Sequence, residues 1–112
     1  MEEILKTILF KLNIKLMKKN ELAYEFDPVL TALSKMDSKE RIFEFMLDLL
    51  TEKEILEFSR RFEVAKMLDD GISYARIEKK TAMSSTTIAR ISKALNSENM
   101  GYRNALNMVS GI

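Results

Sequence analysis

Apolar residues recur every three or four positions along most of this chain, which is the spacing of one face of an α-helix. The pattern is clearest where Ile88, Ile91 and Leu95 predict a helix over Ser85–Leu95. A shorter pattern predicts a helix over Tyr74–Thr81, with Ile77 on its inner face. Because only a few residues join these two helices, they cannot lie antiparallel. They are predicted to cross steeply, as in a helix-turn-helix motif.

Short polar residues and a glycine mark the ends of this helix pair. Ser73 and Ser84 stand where N-caps belong, with Ser85 as the alternative cap of the second helix. Gly71 suits the left-handed end of a preceding helix. The motif is therefore predicted to occupy residues 73–95.

The pattern upstream predicts further helices. Glu2–Phe26 can form one long helix, and Asp27-Pro28 is expected to end it, since proline disfavours a helical residue before it. A short helix follows the proline, and Asp37 with Glu40 is a candidate capping box for the next. The apolar residues of that next helix extend around most of its circumference, which predicts burial on several sides. They are Ile42, Phe43, Phe45, Met46, Leu47, Leu49 and Leu50.

Two more helices are predicted around the motif. Thr51 and Glu54 form a second capping-box pattern, ahead of a helix that is expected to end at Gly71. A last amphipathic helix of two to three turns is predicted from the spacing of Tyr102, Ala105, Leu106 and Val109. This short chain then has more apolar helix faces than it can bury by itself. Because large exposed apolar strips mark interfaces, we expect a symmetric homodimer.

Composition supports one all-α domain with no catalytic chemistry. The 112 residues include one proline and three glycines, and hydrophobic residues make up 46%. The chain has no cysteine and no histidine, so disulfides, thiolate catalysis and the commonest metal ligand are excluded. No nucleophile-and-base arrangement or phosphate-binding loop is present. We predict a cytoplasmic, metal-free protein that is not an enzyme.

Charge is distributed unevenly, although the net charge is only +1. Residues 71–95 carry five basic residues and one acid, a net +4, whereas residues 27–70 carry a net −4. A localised positive field of this kind attracts a polyanion, so the motif is a candidate DNA-binding element. The basic side chains are expected to contact phosphates. Those assigned to phosphates are Arg76, Lys79, Lys80 and Lys93, and the fifth basic residue is Arg90.

The second helix of the motif begins with small polar residues that can approach base edges closely. Ser85, Thr86 and Thr87 lie in its first turn, and Arg90 follows one turn later, so these are the candidate groove-facing side chains. Two positions favour a degenerate motif instead. Ala82 stands in the turn where glycine is usual, and Glu78 occupies a position of the first helix that is expected to face inward.

The N-terminal segment leaves two interpretations open. Residues 1–26 form an amphipathic extension whose lysines interrupt the apolar run, which excludes a membrane span and a secretory signal. The extension could pack on this protein or a second copy, which we prefer, or lie on a membrane surface. Met17 begins a lysine-rich stretch and could be the true start of translation. The intact mass of the native protein tests that hypothesis.

Taken together, these residues resemble the tryptophan repressor superfamily, and in particular its branch of small repressor-like proteins. The resemblance covers roughly Val29–Val109 and is most specific over Leu50–Leu95. Its most distinctive stretch, RFEVAKML at residues 61–68, is similar to the RxEVAxML-type stretch that precedes the motif in that branch. The resemblance implies an intertwined, all-helical dimer that binds operator DNA, with a repressor-like domain over residues 27–112. It also implies DNA contacts from Tyr74, Ala75 and Ala89.

The resemblance further implies where an effector would bind. In true tryptophan repressors two arginines sandwich the indole and a threonine lines the site; the matching residues are Arg61, Arg90 and Thr51. Ile91 stands where those proteins have glycine, and its branched side chain is expected to fill the space of the ring. We therefore expect no tryptophan co-repressor or other cofactor, and either effector-free DNA binding or a different effector.

Two functional hypotheses follow from the sequence. The first is a dimeric transcriptional regulator, a repressor by resemblance, that binds a palindromic DNA site. The second is a helical protein-interaction or membrane-surface module in which the helix-turn-helix is degenerate. Removal of residues 1–16 separates them, because only the first predicts that DNA binding survives.

Overall fold

Seven α-helices and no strand make up residues 1–111, the part of the chain that this computed structural model describes. They are α1 (Glu2–Leu16), α2 (Lys19–Lys35), α3 (Lys39–Leu49), α4 (Glu52–Asp69), α5 (Tyr74–Thr81), α6 (Ser85–Leu95) and α7 (Gly101–Ser110). The prediction of an all-α fold is confirmed. Ile112, the last residue of the predicted repressor-like domain, lies outside the described residues.

The chain forms two compact units, one from Met1 to Phe45 and one that begins at Met46. No residue of α1, α2 or α3 is buried. The prediction that α3 is buried on several sides is therefore wrong for the single chain, in which Phe43 is 54% exposed and Leu47 is 49% exposed. A domain boundary between residues 26 and 27 stays a prediction.

The predicted long N-terminal helix is interrupted at Met17 and Lys18, both of which have extended backbone angles. The prediction of one helix over Glu2–Phe26 is wrong for this reason. Lys18 makes no side-chain capping hydrogen bond at the start of α2.

Pro28 lies inside α2, so the prediction that Asp27-Pro28 ends a helix is also wrong. Proline in a helix interior removes one hydrogen bond, here to the carbonyl of Tyr24 four residues earlier. Tyr24 is 81% exposed, so this turn of α2 lies at the surface, where a missing hydrogen bond costs less than it would in a core. The turns on either side keep their own hydrogen bonds, and the helix continues to Lys35.

The cap of α3 is one residue later than the sequence suggested. The hydroxyl of Ser38 accepts a hydrogen bond from the Arg41 backbone N–H at 3.2 Å, so Ser38 acts as the N-cap. Asp37 instead pairs with Arg41 through an exposed Oδ1–Nε contact of 3.7 Å. The Asp37–Glu40 capping box is therefore not formed, because Ser38 already satisfies a free N–H at the start of the helix.

Both ends of α4 form as predicted. At its start, the Thr51 hydroxyl accepts from the Glu54 N–H at 3.2 Å, and the Glu54 carboxylate accepts from the Thr51 N–H at 2.9 Å. At its end, Gly71 has a positive φ of 80° and lets the chain turn back. The Ile72 N–H reaches the Met67 carbonyl and the Gly71 N–H reaches that of Leu68, both at 3.0 Å, which is a Schellman motif.

The second unit has one apolar core, to which α4, α5, α6 and α7 contribute. Its buried members are Val64, Ala65, Met67, Ile77, Ile88, Ile91, Leu95 and Leu106. Arg103 of α7 joins the far ends of two other helices, since its guanidinium donates to Asp69 at 2.9 Å and to Asn96 at 2.7 Å. The predicted last helix is confirmed, but Val109 is 71% exposed and does not belong to the buried face.

The Glu54 capping interaction predicts a pH dependence of stability. Two hydrogen bonds lower the pKa of Glu54 below its ordinary value of 4.5, and the one from the Thr51 backbone has a larger effect than the one from the Thr51 hydroxyl. Its stabilising contribution is therefore present above pH 4.5 and is lost as the pH falls through the lowered pKa. In urea unfolding, we expect the difference between the unsubstituted protein and Glu54→Gln to shrink on acidification. Glu57→Gln, on the same helix outside the box, is the control, and an equal pH profile for both variants contradicts the account.

Candidate nucleic-acid interface

The helix pair α5–α6 begins and ends at the residues predicted from the sequence. Ser73 caps α5 by accepting from the Arg76 N–H at 3.4 Å. Ser84 caps α6 by accepting from the Thr87 N–H at 3.2 Å. Each serine replaces one hydrogen bond that the first turn of a helix cannot make internally. The start of each helix is therefore fixed by its own sequence.

The turn between the two helices depends on Ala82, which adopts a left-handed conformation with φ of 60°. The contribution of Thr81 to this turn was not predicted. The Thr81 hydroxyl donates to the Ile77 carbonyl at 2.7 Å and accepts from the Met83 N–H at 3.3 Å. These bonds join the last turn of α5 to the residue that leads into α6. A threonine directly before a helix end was the available signal.

Fully buried isoleucines hold the pair on the rest of the unit. Ile77 of α5 and Ile88 of α6 are both 0% exposed, as is Val64 of α4. Glu78, which was expected to face inward, is exposed. The expectation for Glu78 was wrong, whereas Ile77 is buried on the inner face of α5 as predicted. The acid at position 78 therefore gives no support to a degenerate motif.

The basic residues of the pair, Arg76, Lys79, Lys80, Arg90 and Lys93, are called the basic set below. All five are exposed. Within residues 1–111 the ion pairs involve Arg41, Lys66 and Arg103, and none includes a member of the basic set. Exposed cations without a carboxylate partner keep their full attraction for phosphate.

Three members of the basic set converge on one depression. Arg76, Lys79 and Lys80 line a space of about 250 Å³ together with Met67 and Ile72. Their spacing of three and one residues places them on one side of α5. The arrangement concentrates positive charge at a site open to solvent, which suits contact with a polyanion.

The first turn of α6 is open to a ligand except at Thr87. Ser85, Thr86 and Ala89 are exposed, and the first internal hydrogen bond of the helix is that of the Ile88 N–H. The N–H groups of Ser85 and Thr86 therefore lie at the free start of the helix, where anions bind. Thr87 is half-buried, and its hydroxyl lies 3.0 Å from that of Ser84. Tyr74, at the start of α5, is 42% exposed.

The two arginines of the candidate effector site lie at one depression. Arg61 and Arg90 line a space of about 260 Å³ together with Thr87, Ile91, Ala94 and Tyr102. Arg61 also stacks on Phe58, its guanidinium carbon 5.9 Å from the ring centroid. Thr51 does not line this space, and its hydroxyl is engaged in the cap of α4. Ile91 is only 4% exposed and belongs to the core.

This arrangement of helices is that of a known family of regulators. The sequence model of the Trp repressor protein family matches residues 24–110. This chain therefore belongs to the Trp repressor family. The family consists of transcription regulators rather than enzymes, which confirms the prediction that the protein is not an enzyme. No helix within residues 1–111 is long and apolar enough to cross a membrane.

Three relatives support the assignment. The uncharacterized protein YerC of Bacillus subtilis is 36% identical over 85 residues, which are 76% of this chain and 82% of YerC. The structure of a TrpR-like protein from Eubacterium eligens superposes with a TM-score of 0.70 at 33% identity, and the match covers 88% of this chain and 96% of that protein's chain. The structure of a Staphylococcus aureus protein proposed to be a Trp repressor gives a TM-score of 0.70 at 31% identity, and the match covers 88% of this chain and 93% of that protein's chain.

The turn predicts that Ala82→Gly stabilises the protein. An L-residue with a left-handed backbone is strained, and glycine removes that strain, so we expect a gain of roughly 1 kcal/mol in the free energy of unfolding. Chemical denaturation measures it. The matched control is Ala89→Gly in the interior of α6, which should lose about 0.5–1 kcal/mol. A loss of unfolding free energy in both variants would contradict the claim that Ala82 is strained by its left-handed backbone.

The burial of Ile91 predicts that it is a core residue rather than the wall of an open ligand site. Ile91→Ala should lower the free energy of unfolding by about 2–5 kcal/mol, because it leaves a cavity among packed side chains. Lys93→Ala, on the same helix and exposed, should change it by no more than about 0.5 kcal/mol. Similar small losses for the two variants would mean that the space around Ile91 is open.

Proposed function

We propose that this protein is a sequence-specific DNA-binding transcriptional regulator, a repressor, that binds a palindromic operator as a homodimer. The observation that carries the proposal is the basic set, five exposed cations without ion-pair partners in residues 1–111, on a helix pair anchored by a buried core. Family membership and the S. aureus relative proposed to be a Trp repressor support it.

Four residues of the basic set are assigned to the phosphate backbone. Arg76, Lys79 and Lys80 share one solvent-open depression on α5, and Lys93 lies on the last turn of α6. Contacts of this kind supply most of the affinity but carry no sequence information. Their function is to position α6 on the duplex.

The first turns of α6 are assigned to the major groove. Ser85, Thr86 and Ala89 are small and exposed, so the helix can approach base edges closely. Arg90, also exposed, can make a bidentate contact with guanine. Thr87 has its hydroxyl beside that of Ser84 and would have to leave that contact to reach a base. Tyr74, at the start of α5, is assigned to the adjoining phosphate backbone of the DNA.

A homodimer is proposed because the single chain leaves so much apolar surface open. Leu30, Phe43, Leu47, Leu56 and Phe58 are each 43% to 56% exposed. Apolar side chains in such number are normally covered by a partner. A two-fold dimer would present two copies of α6 to half-sites separated by about 34 Å, one turn of DNA. A palindromic operator follows from that symmetry.

We also propose that tryptophan is not the co-repressor. Ile91 is packed in the core and lines the depression between Arg61 and Arg90, where an indole ring would have to lie. DNA binding is then either independent of an effector or controlled by a molecule of different shape.

Selection from a random library of double-stranded DNA by the purified protein tests the proposal. The selection is run at physiological salt with and without tryptophan. The proposal expects enrichment of a palindrome in both arms. Enrichment only with tryptophan would overturn the assignment of Ile91. No enrichment in either arm would favour the second candidate, a helical interaction module, for which the open apolar face of α1 is the specific support.

Arg90 is predicted to read a base. Arg90→Ala should weaken binding to the selected operator by about 1–3 kcal/mol and relax sequence preference at one position in each half-site. Fluorescence anisotropy against a set of single-position operator variants measures both effects. An Arg90→Ala protein with an unchanged preference would reject the role.

Lys79 is predicted to contact a phosphate, so its loss should act on all sequences alike. Lys79→Ala should weaken binding to operator DNA and to random DNA by the same factor. It should also reduce the slope of log affinity against log salt concentration by about 1. Lys66→Ala is the matched control, because Lys66 is exposed but paired with Asp70 outside the helix pair. A change in sequence preference without a change in salt slope contradicts the assignment.

A further inference from the structure

One side chain of α7 connects the ends of two other helices. The guanidinium of Arg103 donates from Nη1 to Asp69 Oδ1 at 2.9 Å and from Nη2 to Asn96 Oδ1 at 2.7 Å. Asp69 is the last residue of α4, and Asn96 is the C-cap of α6. A charged donor makes both hydrogen bonds stronger than bonds between neutral groups. These three side chains are called the Arg103 bridge below.

The bridge reaches the backbone of α6. The side-chain Nδ2 of Asn96 donates to the carbonyl of Ser92, one turn earlier, at 2.9 Å. This bond leaves the amide oxygen of Asn96 to accept from Arg103. Because Asn96 is held at both ends of its amide, the bridge fixes the last turn of α6 rather than a side chain that can rotate freely.

The core by itself holds α6 less firmly against rotation about its own axis. The buried residues of this helix, Ile88, Ile91 and Leu95, form a single stripe. Apolar contacts keep the stripe on the core, but they have no preferred direction. At 3.6 residues per turn, Asn96 lies roughly a third of a turn from the centre of that stripe. A directional hydrogen bond at this position opposes the rotation that the stripe permits.

Arg103 starts from a fixed position on α7. Leu106 of that helix is buried in the core of the second unit, and Tyr102 packs against the same core. The Arg103 side chain is only 35% exposed. Its planar guanidinium can hold two partners at once in set directions, whereas a lysine would offer a single nitrogen.

We propose that Arg103 is a positioning residue for DNA recognition, which acts through Asn96 and Asp69 to fix the rotation of α6. The direction in which Thr86 and Arg90 face the duplex follows from that rotation. The inference rests on the proposed function, but it does not require Arg103 to touch DNA. Base contacts depend on direction, whereas lysines reach phosphates through flexible stems. Loss of the bridge should therefore weaken specific binding and spare non-specific binding.

Asn96→Ala tests the bridge without a change of charge. In fluorescence anisotropy it should weaken operator binding by roughly tenfold, an effect in the range known for residues that influence a site without contacting its ligand. Binding to random DNA and its salt dependence should stay unchanged. Ser97→Ala is the matched control, because Ser97 donates to the Ala94 carbonyl at 2.7 Å at the same end of α6 but lies outside the bridge. Equal losses in the two variants, or equal losses on operator and random DNA, overturn the inference.

Asp69→Ala tests the sign of the effect. Removal of an acid strengthens DNA binding if only charge matters, whereas loss of the bridge should weaken operator binding. Asp70→Ala is the matched control with the same charge change one residue later, since Asp70 pairs with Lys66 of its own helix at 3.1 Å. The control should bind the operator as tightly as the natural protein or more tightly. Tighter operator binding by Asp69→Ala overturns the inference.

Substitutions of Arg103 separate positioning from a direct phosphate contact. Arg103→Met should weaken operator binding with no change in salt slope, and Arg103→Lys should restore little, because it keeps the charge but loses the two-pronged geometry. A salt slope reduced by about 1 in Arg103→Met, together with recovery in Arg103→Lys, would mean a phosphate contact instead. Arg103→Met combined with Asn96→Ala should bind no more weakly than the weaker single variant, since both break one connection. Fully additive losses overturn the bridge.

The outcomes distinguish this inference from the proposed function. A natural protein that selects no operator defeats the proposed function, and the inference falls with it. A natural protein that selects an operator, while Asn96→Ala and Asp69→Ala bind that operator as tightly, defeats only the inference. Circular dichroism confirms that each variant is folded at the temperature of measurement, and sedimentation equilibrium without DNA gives the dimer Kd. A rise in the dimer Kd of Asn96→Ala that accounts for its lost affinity also overturns the positioning role.

Discussion

The burial of Ile77 in one core with Ile88 and Val64 is the interaction on which the rest of the second unit depends. All three side chains are fully withdrawn from solvent, and burial of each contributes about 1.5–3 kcal/mol. The helix that carries Ile77 has only eight residues, too few to be stable in water by itself. α5 therefore exists as a helix because one side chain is buried, and the position of Arg76, Lys79 and Lys80 follows from that burial.

The surrounding contacts keep this small core in one arrangement. Ser73 and Ser84 fix where the two helices begin, and Thr81 fixes the turn between them. On the other side, Arg103 joins the end of α4 to the end of α6. The neighbouring helices therefore hold the exposed polar face of the helix pair in one position. A DNA-binding surface needs a fixed position because it must match the fixed spacing of phosphates and bases.

The sequence predicted the helix pair well because its ends are marked by local chemistry. A serine cap or a glycine with positive φ acts within a few residues, so Ser73, Ser84 and Gly71 could be interpreted without any tertiary information. The structure of the N-terminal half was harder to predict from the sequence. The break at Lys18 has no side-chain cap that would mark it, and Pro28 lies inside a helix that its sequence pattern predicted to end there. The burial expected for α3 could not be judged from one chain, since its apolar side chains are uncovered there. The contact between Thr87 and Ser84 depends on side-chain conformation, which periodicity does not specify.

Mapping of backbone amides by NMR during titration with a selected DNA duplex tests the central claim most directly. The account predicts that the largest chemical-shift changes fall in residues 73–93, strongest at the start of α6 around Ser85, Thr86 and Arg90. It also predicts equal changes in both halves of a symmetric complex. Changes confined to residues 2–16, or absent from the helix pair, would contradict the claim that α5 and α6 are the DNA-binding surface.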